Sequence, residues 1–329
     1  MTGLKTLALA SAMSFGAVSF AATGAFAQTA WDMPTPYGDS IFHTANIMQF
    51  ADDVREATDG SLDITVHSAG SLFGHPEIKD AVRRQLAPIG EVLISRLSNE
   101  NPLYGVDSIP FLATSYDEAR ALWEASEPAI AALLEEEGLK LLFAVPWPPQ
   151  GIYAGEEVTD ASQMDGVRFR AYNAATERLA TLMGAVPTQV EAGDIPTAFS
   201  TGRVDAMITS PSTGVASQAW DFVSVYHDTR AWLPKNMVIV NMSAFDALSA
   251  EERDALLAAA DEAETRGWAM SEEETGSKTS TLADNGMSVV EPSDALADEL
   301  AGIGQQMTAE WAEEAGPSGL RVIEAYREE

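Results

Sequence analysis

The stretch GVRFRAYNAATERLATLMGAVPTQVEAGDIPTAFSTGRVDAMITSP, residues 166–211, holds the side chains best suited to grip a small anion. Arg170 presents a planar, permanently charged fork that matches a carboxylate through two parallel hydrogen bonds, which a lysine cannot copy. A structural ion pair with one of the chain's 50 acidic residues is the competing use, and position alone leaves the two even. Arg168 shares the face of Arg170 by two-residue alternation but lies farther from the sheet edge, so it is expected to be paired with solvent. Thr209 and Ser210 can hydrogen-bond a ligand oxygen or cap the segment that follows. Asn173 faces the same choice, and capping is the commoner role.

Other chemistries fare worse. The tetrapeptide GDSI at 38–41 resembles the block that carries the nucleophilic serine of GDS-type esterases, with Ser40 as nucleophile. That chemistry needs a histidine base oriented by an acid. The last histidine is His227, no DxxH occurs, and Pro34 and Pro36 interrupt any strand leading into Gly38, so Asp39 or Ser40 reads as a helix N-cap. The absence of cysteine excludes disulfides, thiol nucleophiles and thiolate metal sites. His43, His67, His75 and His227 form no HxH or HxxxH pair, and neither a metal nor a cofactor is expected.

The elements that must position Arg170 follow from periodicity. Residues 166–170 read as a strand, 174–184 as a helix closed by Gly184, 185–190 as a second strand, 195–200 as a second helix and 204–208 as a third strand. These are consecutive right-handed crossover units of a parallel sheet, and small ligands bind at the carboxyl edge of such sheets. Upstream, 30–33 reads as a strand, 40–57 as a helix, 62–66 as a strand with one wet face, 76–85 as a helix, 91–95 as a strand, 115–138 as a helix with a break near Pro128, and 140–145 as a strand. This alternation implies a first lobe of parallel type. Residues 145–154, VPWPPQGIYA, stiffen a crossing into a second lobe, and WLPKNMVIVN at 232–241 is the return, a loop and then a strand. A long helix opens on the capping pattern SAEE at 249–252 and runs to about 282; another covers 294–315.

Residues 1–27 combine Lys5, an uncharged run and the small-x-small site AFA, the pattern of a cleaved signal peptide. Without them the chain carries a formal charge of −32, which argues against nucleic acid or an anionic membrane as partner.

The order GVRFR, helix, MGAVPT, AFSTGRVDA resembles the core signature of the DctP-type solute-binding proteins of TRAP (tripartite ATP-independent periplasmic) transporters. GSLDITVHSAGSLFG at 60–74 and IPFL at 109–112 extend the likeness, which covers about residues 30–250. The resemblance implies an α/β, two-lobed periplasmic binding protein of type II-like fold, with a hinge and a long helix spanning both lobes. Lobe I would comprise 28–150 with parts of 242–329, lobe II 151–241, the interlobe helix 249–283, and a C-terminal helical segment 284–329 packing on the lobes. Arg170 falls at the family's carboxylate-binding position. Members that bind sialic acid or dicarboxylates carry another arginine near Ile152 or Tyr153, and its absence here favours a monocarboxylate; a dianion would need Lys235 as its second partner. The expected ligand is a small organic acid with an aromatic or otherwise apolar body, enclosed by Tyr37, Phe73, Trp147 and Trp232. Thr209, Ser210 and Asn236 would hydrogen-bond its carboxylate, and Ser95, Gln150, Tyr172 and Asn173 are also expected at the site. A monomer delivering that acid to a membrane permease is the implied role. The receptor of an ATP-driven importer shares the two-lobed shape and is the alternative, with the exported esterase a distant third.

Overall fold

The computed structural model describes residues 28–328, so the expected signal peptide lies outside the described residues. Strands β1 (Thr29–Pro34) and β2 (Leu62–His67) pair in parallel around helix α1 (Phe42–Ala57). Helix α2 (Ile78–Arg83), strand β3 (Ile89–Leu93), helix α3 (Tyr116–Glu136) and strand β4 (Leu139–Pro146) follow. The chain then crosses into β5 (Gly151–Ala154), β6 (Arg168–Ala171), α4 (Ala174–Leu182), β7 (Val186–Gln189), α5 (Ile195–Ser200), β8 (Ala206–Thr209), α6 (Pro211–Ala216) and β9 (Val225–His227). It returns as β10 (Lys235–Asn241) and ends with α7 (Met242–Ala247), α8 (Ala250–Asp284), β11 (Ser288–Val290) and α9 (Asp294–Glu328).

Besides the two-stranded β1-β2 sheet, two larger sheets result, ordered β3-β10-β4 and β11-β9-β5-β8-β6-β7. Within the second, β7, β6 and β8 are parallel neighbours, the arrangement that crossover units impose. The first sheet departs from the parallel expectation. Its central strand is β10, antiparallel to both β3 and β4, with all seven residues buried. Lys235–Asn241, counted above with lobe II, therefore belongs to the sheet of β3 and β4. A run such as MVIV suits a strand covered on both faces, but its partners lie about ninety residues or more away, beyond the reach of local pattern.

The two crossings brace each other. The Trp147 N–H donates to the Pro234 carbonyl (2.7 Å), the Gln150 N–H to that of Trp232 (3.0 Å), and the Ala231 N–H to that of Gln150 (2.9 Å). Helix α8, opened by a Ser249–Glu252 capping box, packs on α1 and β4 beside the first sheet and on α6 and β11 beside the second. Gly267 permits the closest part of that contact, since a Cβ there would fall 2.4 Å from Val145 Cγ2 and 2.7 Å from Asn46 Nδ2.

Three helix boundaries correct the expectations. Helix α1 has Ile41 at its N-cap with no side-chain cap, because the Ile41 N–H bonds to the Gly38 carbonyl (3.0 Å) and Asp39 and Ser40 are spent in that turn. Helix α3 runs through Pro128 unbroken; the carbonyl that proline leaves without a donor, on Glu124, lies on the exposed face where water can serve it. Helix α9 continues to Glu328 past a kink at Gly316 (φ 57°), a left-handed conformation that glycine tolerates, after which Pro317 suits the first turn of the resumed helix.

Candidate functional site

Arg170 ends the polar face of β6 and is only 3% exposed. Its Nε donates to the Val190 carbonyl at the end of the neighbouring strand (3.0 Å), which aims the rest of the guanidinium. The two terminal nitrogens make no hydrogen bond and no ion pair with any carboxylate among the described residues. Burial pushes its pKa down to about 10, against the opposing influence of Tyr172 and Glu191, so the group stays charged at neutral pH. A buried cation without a counter-ion is costly, and an incoming anion would relieve that cost. Arg168, two residues earlier, is half exposed and bound at 2.6 Å by each of two nitrogens to Asp205.

The free face of Arg170 opens on a cleft between the two sheets, about 420 Å³ of atom-free space counted together with the open solvent at its mouth. Of the residues expected to line it, Tyr37, Trp147, Gln150, Arg170, Tyr172, Thr209 and Ser210 do. The guanidinium carbon of Arg170 lies 4.9 Å from the centre of the Tyr172 ring, whose hydroxyl donates to Gln150 Oε1 (3.2 Å). Tyr37 and Trp147 meet edge to face at 5.0 Å, and His43 packs against Trp147 at 4.2 Å. Ser210 caps α6, its hydroxyl oxygen accepting from the Thr213 N–H (3.1 Å).

Asn236 stands behind this wall and holds it. Its Oδ1 accepts from Trp147 Nε1 (2.9 Å) and from the Tyr37 hydroxyl (3.4 Å), while its Nδ2 donates to Glu91 Oε1 (3.1 Å). Glu91, which also accepts from the Thr35 hydroxyl (2.5 Å), is so buried that its pKa rises to about 7.

The remaining expected residues are placed elsewhere. Phe73 packs against the cluster of Ile78, Val82 and Val92. Trp232 is fully buried in the main core at the crossing, where its carbonyl serves Gln150. Asn173 caps α4 through the Thr176 N–H (2.8 Å) and reaches Ser95 Oγ with its Nδ2 (2.8 Å), so this pair joins the two lobes rather than lining the cleft. Lys235 points away from the cleft, toward the rings of Trp123 (5.9 Å) and Trp268 (5.8 Å), because alternation along β10 gives the cleft face to Asn236.

Three charged or titratable cleft residues escaped the sequence reading: His75, Arg96 and Glu191. Arg96 Nη1 donates to the Tyr172 carbonyl (3.0 Å) and pairs with Glu191 Oε1 (2.9 Å) across the lobe boundary. His75 Nε2 accepts the Leu93 N–H (3.2 Å), so the proton sits on Nδ1, 3.7 Å from Glu191. Burial lowers the His75 pKa and keeps it neutral. Partial burial opposes ionisation of Glu191, but His75 and Arg96 outweigh it and hold its carboxyl below the usual range. Both Arg96 and Glu191 immediately follow a strand reading, at 91–95 and 185–190. The rule applied to the first strand, that ligands gather at carboxyl ends, would have found them.

The model of the bacterial extracellular solute-binding protein family 7, DctP, matches residues 35–315. DctP7 of Bordetella pertussis, an extracytoplasmic solute receptor binding pyroglutamic acid, is 47% identical with a TM-score of 0.90, covering 91% of this chain and 99% of that one. A TRAP solute-binding protein specific for pyroglutamate, from an unidentified microbe of a marine metagenome, is 41% identical with a TM-score of 0.90, covering 92% and 99%. A solute-binding protein of Albidiferax ferrireducens is 21% identical over 222 residues, which make up 66% of this chain and 65% of that relative, just under two thirds of its length.

Proposed function

The chain is a TRAP-type solute-binding protein of the DctP family, and from that premise we propose that it captures pyroglutamate, or a monocarboxylate of the same size, and delivers it to a membrane permease. The observation that carries the reading is Arg170, a buried guanidinium whose two free nitrogens face the cleft with no acid paired to them among the described residues. Pyroglutamate offers one carboxylate for that fork, a compact ring for the faces of Tyr37, Trp147 and Tyr172, and a lactam whose N–H and C=O can meet Gln150, Thr209 or Ser210. The reading keeps the monocarboxylate and replaces the aromatic body with a small saturated ring. Closure of the lobes about the two braced crossings would expel water and strengthen the ion pair.

No chemical step is assigned to the site. Ser40 is exposed in a turn, and the ring nitrogens of His227 are occupied by the Ile152 carbonyl (3.2 Å) and the Val158 N–H (2.9 Å). A periplasmic location accords with the solute-binding family and with the export pattern of the first residues. No helix among the described residues is long and apolar enough to cross a membrane.

Isothermal titration with L-pyroglutamate tests the proposal. The parent chain should bind tightly, and Arg170→Ala should lose about a hundredfold or more in affinity, as truncation of one partner of a desolvated pair does. Equal affinity in the two proteins removes Arg170 from the site, and no binding by the parent removes the ligand.

A further inference from the structure

The cleft contains two arginines, and only one of them is free. Arg96 lies 2.9 Å from Glu191, and Glu191 follows Val190, whose carbonyl fixes Arg170, so one turn of chain orients the free guanidinium and cancels the other. His75 contributes no charge in its neutral form, and burial keeps the Tyr37 and Tyr172 hydroxyls protonated. Arg96 is 16% exposed, Glu191 37% and His75 9%, and all three line the same space as Arg170. Taken together, these four residues present a single net positive charge.

We infer that Glu191 is a specificity-determining residue: by occupying Arg96 it makes the cleft a receptor for monoanions and closes it to dianions of equal size. The inference rests on the reading that Arg170 takes the ligand's carboxylate, and adds what the rest of the cleft does with a second one. A second carboxylate would approach Arg96 only by displacing Glu191, and it would meet a like charge at close range on the way. Like-charge juxtaposition of this kind is a general means of rejecting a wrong ligand. The same ion pair also explains how a site with two guanidinium groups can suit a ligand with one carboxylate, which counting arginines would not suggest.

The test compares L-pyroglutamate with glutarate, a dianion with the same number of carbons, by isothermal titration at pH 7.5 against the parent chain, Glu191→Gln and the double variant Arg96→Gln/Glu191→Gln. Glu191→Gln keeps the shape of the side chain and frees Arg96. The ratio of glutarate to pyroglutamate affinity should rise about tenfold or more in Glu191→Gln, a size typical of adding one cation contact in a desolvated cleft. In the double variant that gain should vanish. An unchanged ratio in Glu191→Gln overturns the inference, as does a gain that persists without Arg96. Loss of both ligands in a Glu191→Gln chain that remains folded by circular dichroism also overturns it, because the carboxylate would then be a ligand contact or a closure element. Failure of the underlying reading looks different: the parent chain would not bind pyroglutamate, or Arg170→Ala would bind it equally well.

Discussion

Arg170 and Glu91 are both buried ionisable groups without an ionic partner among the described residues, and the fold treats them differently. The arginine keeps its charge and faces a cleft where an anion can reach it. Glu91 has only neutral partners, the Thr35 hydroxyl and the Asn236 amide, and burial raises its pKa from 4.5 to about 7. The folded chain therefore holds a proton on Glu91 between those two values that the unfolded chain has already released. Stability must fall as pH climbs through that window and level off above about 7. Glu91→Gln preserves the contact to Asn236 and carries no titration. Its stability relative to the parent should grow between pH 4.5 and 7 by at most about 3 kcal/mol, then stay constant. Urea denaturation of the two chains at pH 4.5, 6 and 8 measures this, and a pH-independent difference would show that Glu91 is not the titrating group. Because Asn236 in turn positions Trp147 and Tyr37, the variant should keep the cleft wall in place while the pH dependence disappears.

At the scale of elements, helix α8 supplies a comparison in which the same substitution has opposite signs. Alanine for glycine within a helix gains about 1 kcal/mol from backbone propensity. At Gly276 the added methyl meets nothing within 4 Å, so Gly276→Ala should be stabilising by about that amount. At Gly267 the methyl would lie 2.4 Å from Val145 Cγ2, and overpacking of that kind costs about 1–3 kcal/mol, so Gly267→Ala should be destabilising on balance. Thermal unfolding of both variants checks the pair; a Gly267→Ala variant as stabilised as Gly276→Ala would mean that α8 does not press on β4 as described. Local pattern made such elements legible. Apolar spacing located α4, α8 and the strands flanking Arg170, and the capping pattern marked the start of α8 to the residue. Pairing between distant segments was not legible, so nothing in the sequence placed β10 between β3 and β4 or turned Lys235 away from the cleft. The cleft suffered in the same way. Tyr37, Trp147 and Arg170 carry chemistry visible in their own types, whereas Arg96 and Glu191 acquire meaning only when the lobes meet.

The whole molecule adds a field that opposes its own ligand. The chain carries a formal charge of −31, while the cleft residues Arg170, Arg96, His75 and Glu191 present one net positive charge. Which of these an approaching anion feels depends on salt, because the screening length is about 30 Å at 0.01 M and about 8 Å at 0.15 M. At the lower concentration the repulsion of the entire surface reaches the ligand before the cleft does. At the higher one only charges near the mouth remain effective, and these attract. The association rate of L-pyroglutamate should therefore rise severalfold between 10 and 150 mM NaCl and change little beyond, the reverse of a receptor that steers its ligand by an opposite net charge. Trp147, in the cleft wall, offers a fluorescence signal for stopped-flow measurement of that rate. A rate that falls steadily as salt is added would mean that the local positive charge already dominates at 10 mM, and that the acidic surface has no part in ligand capture.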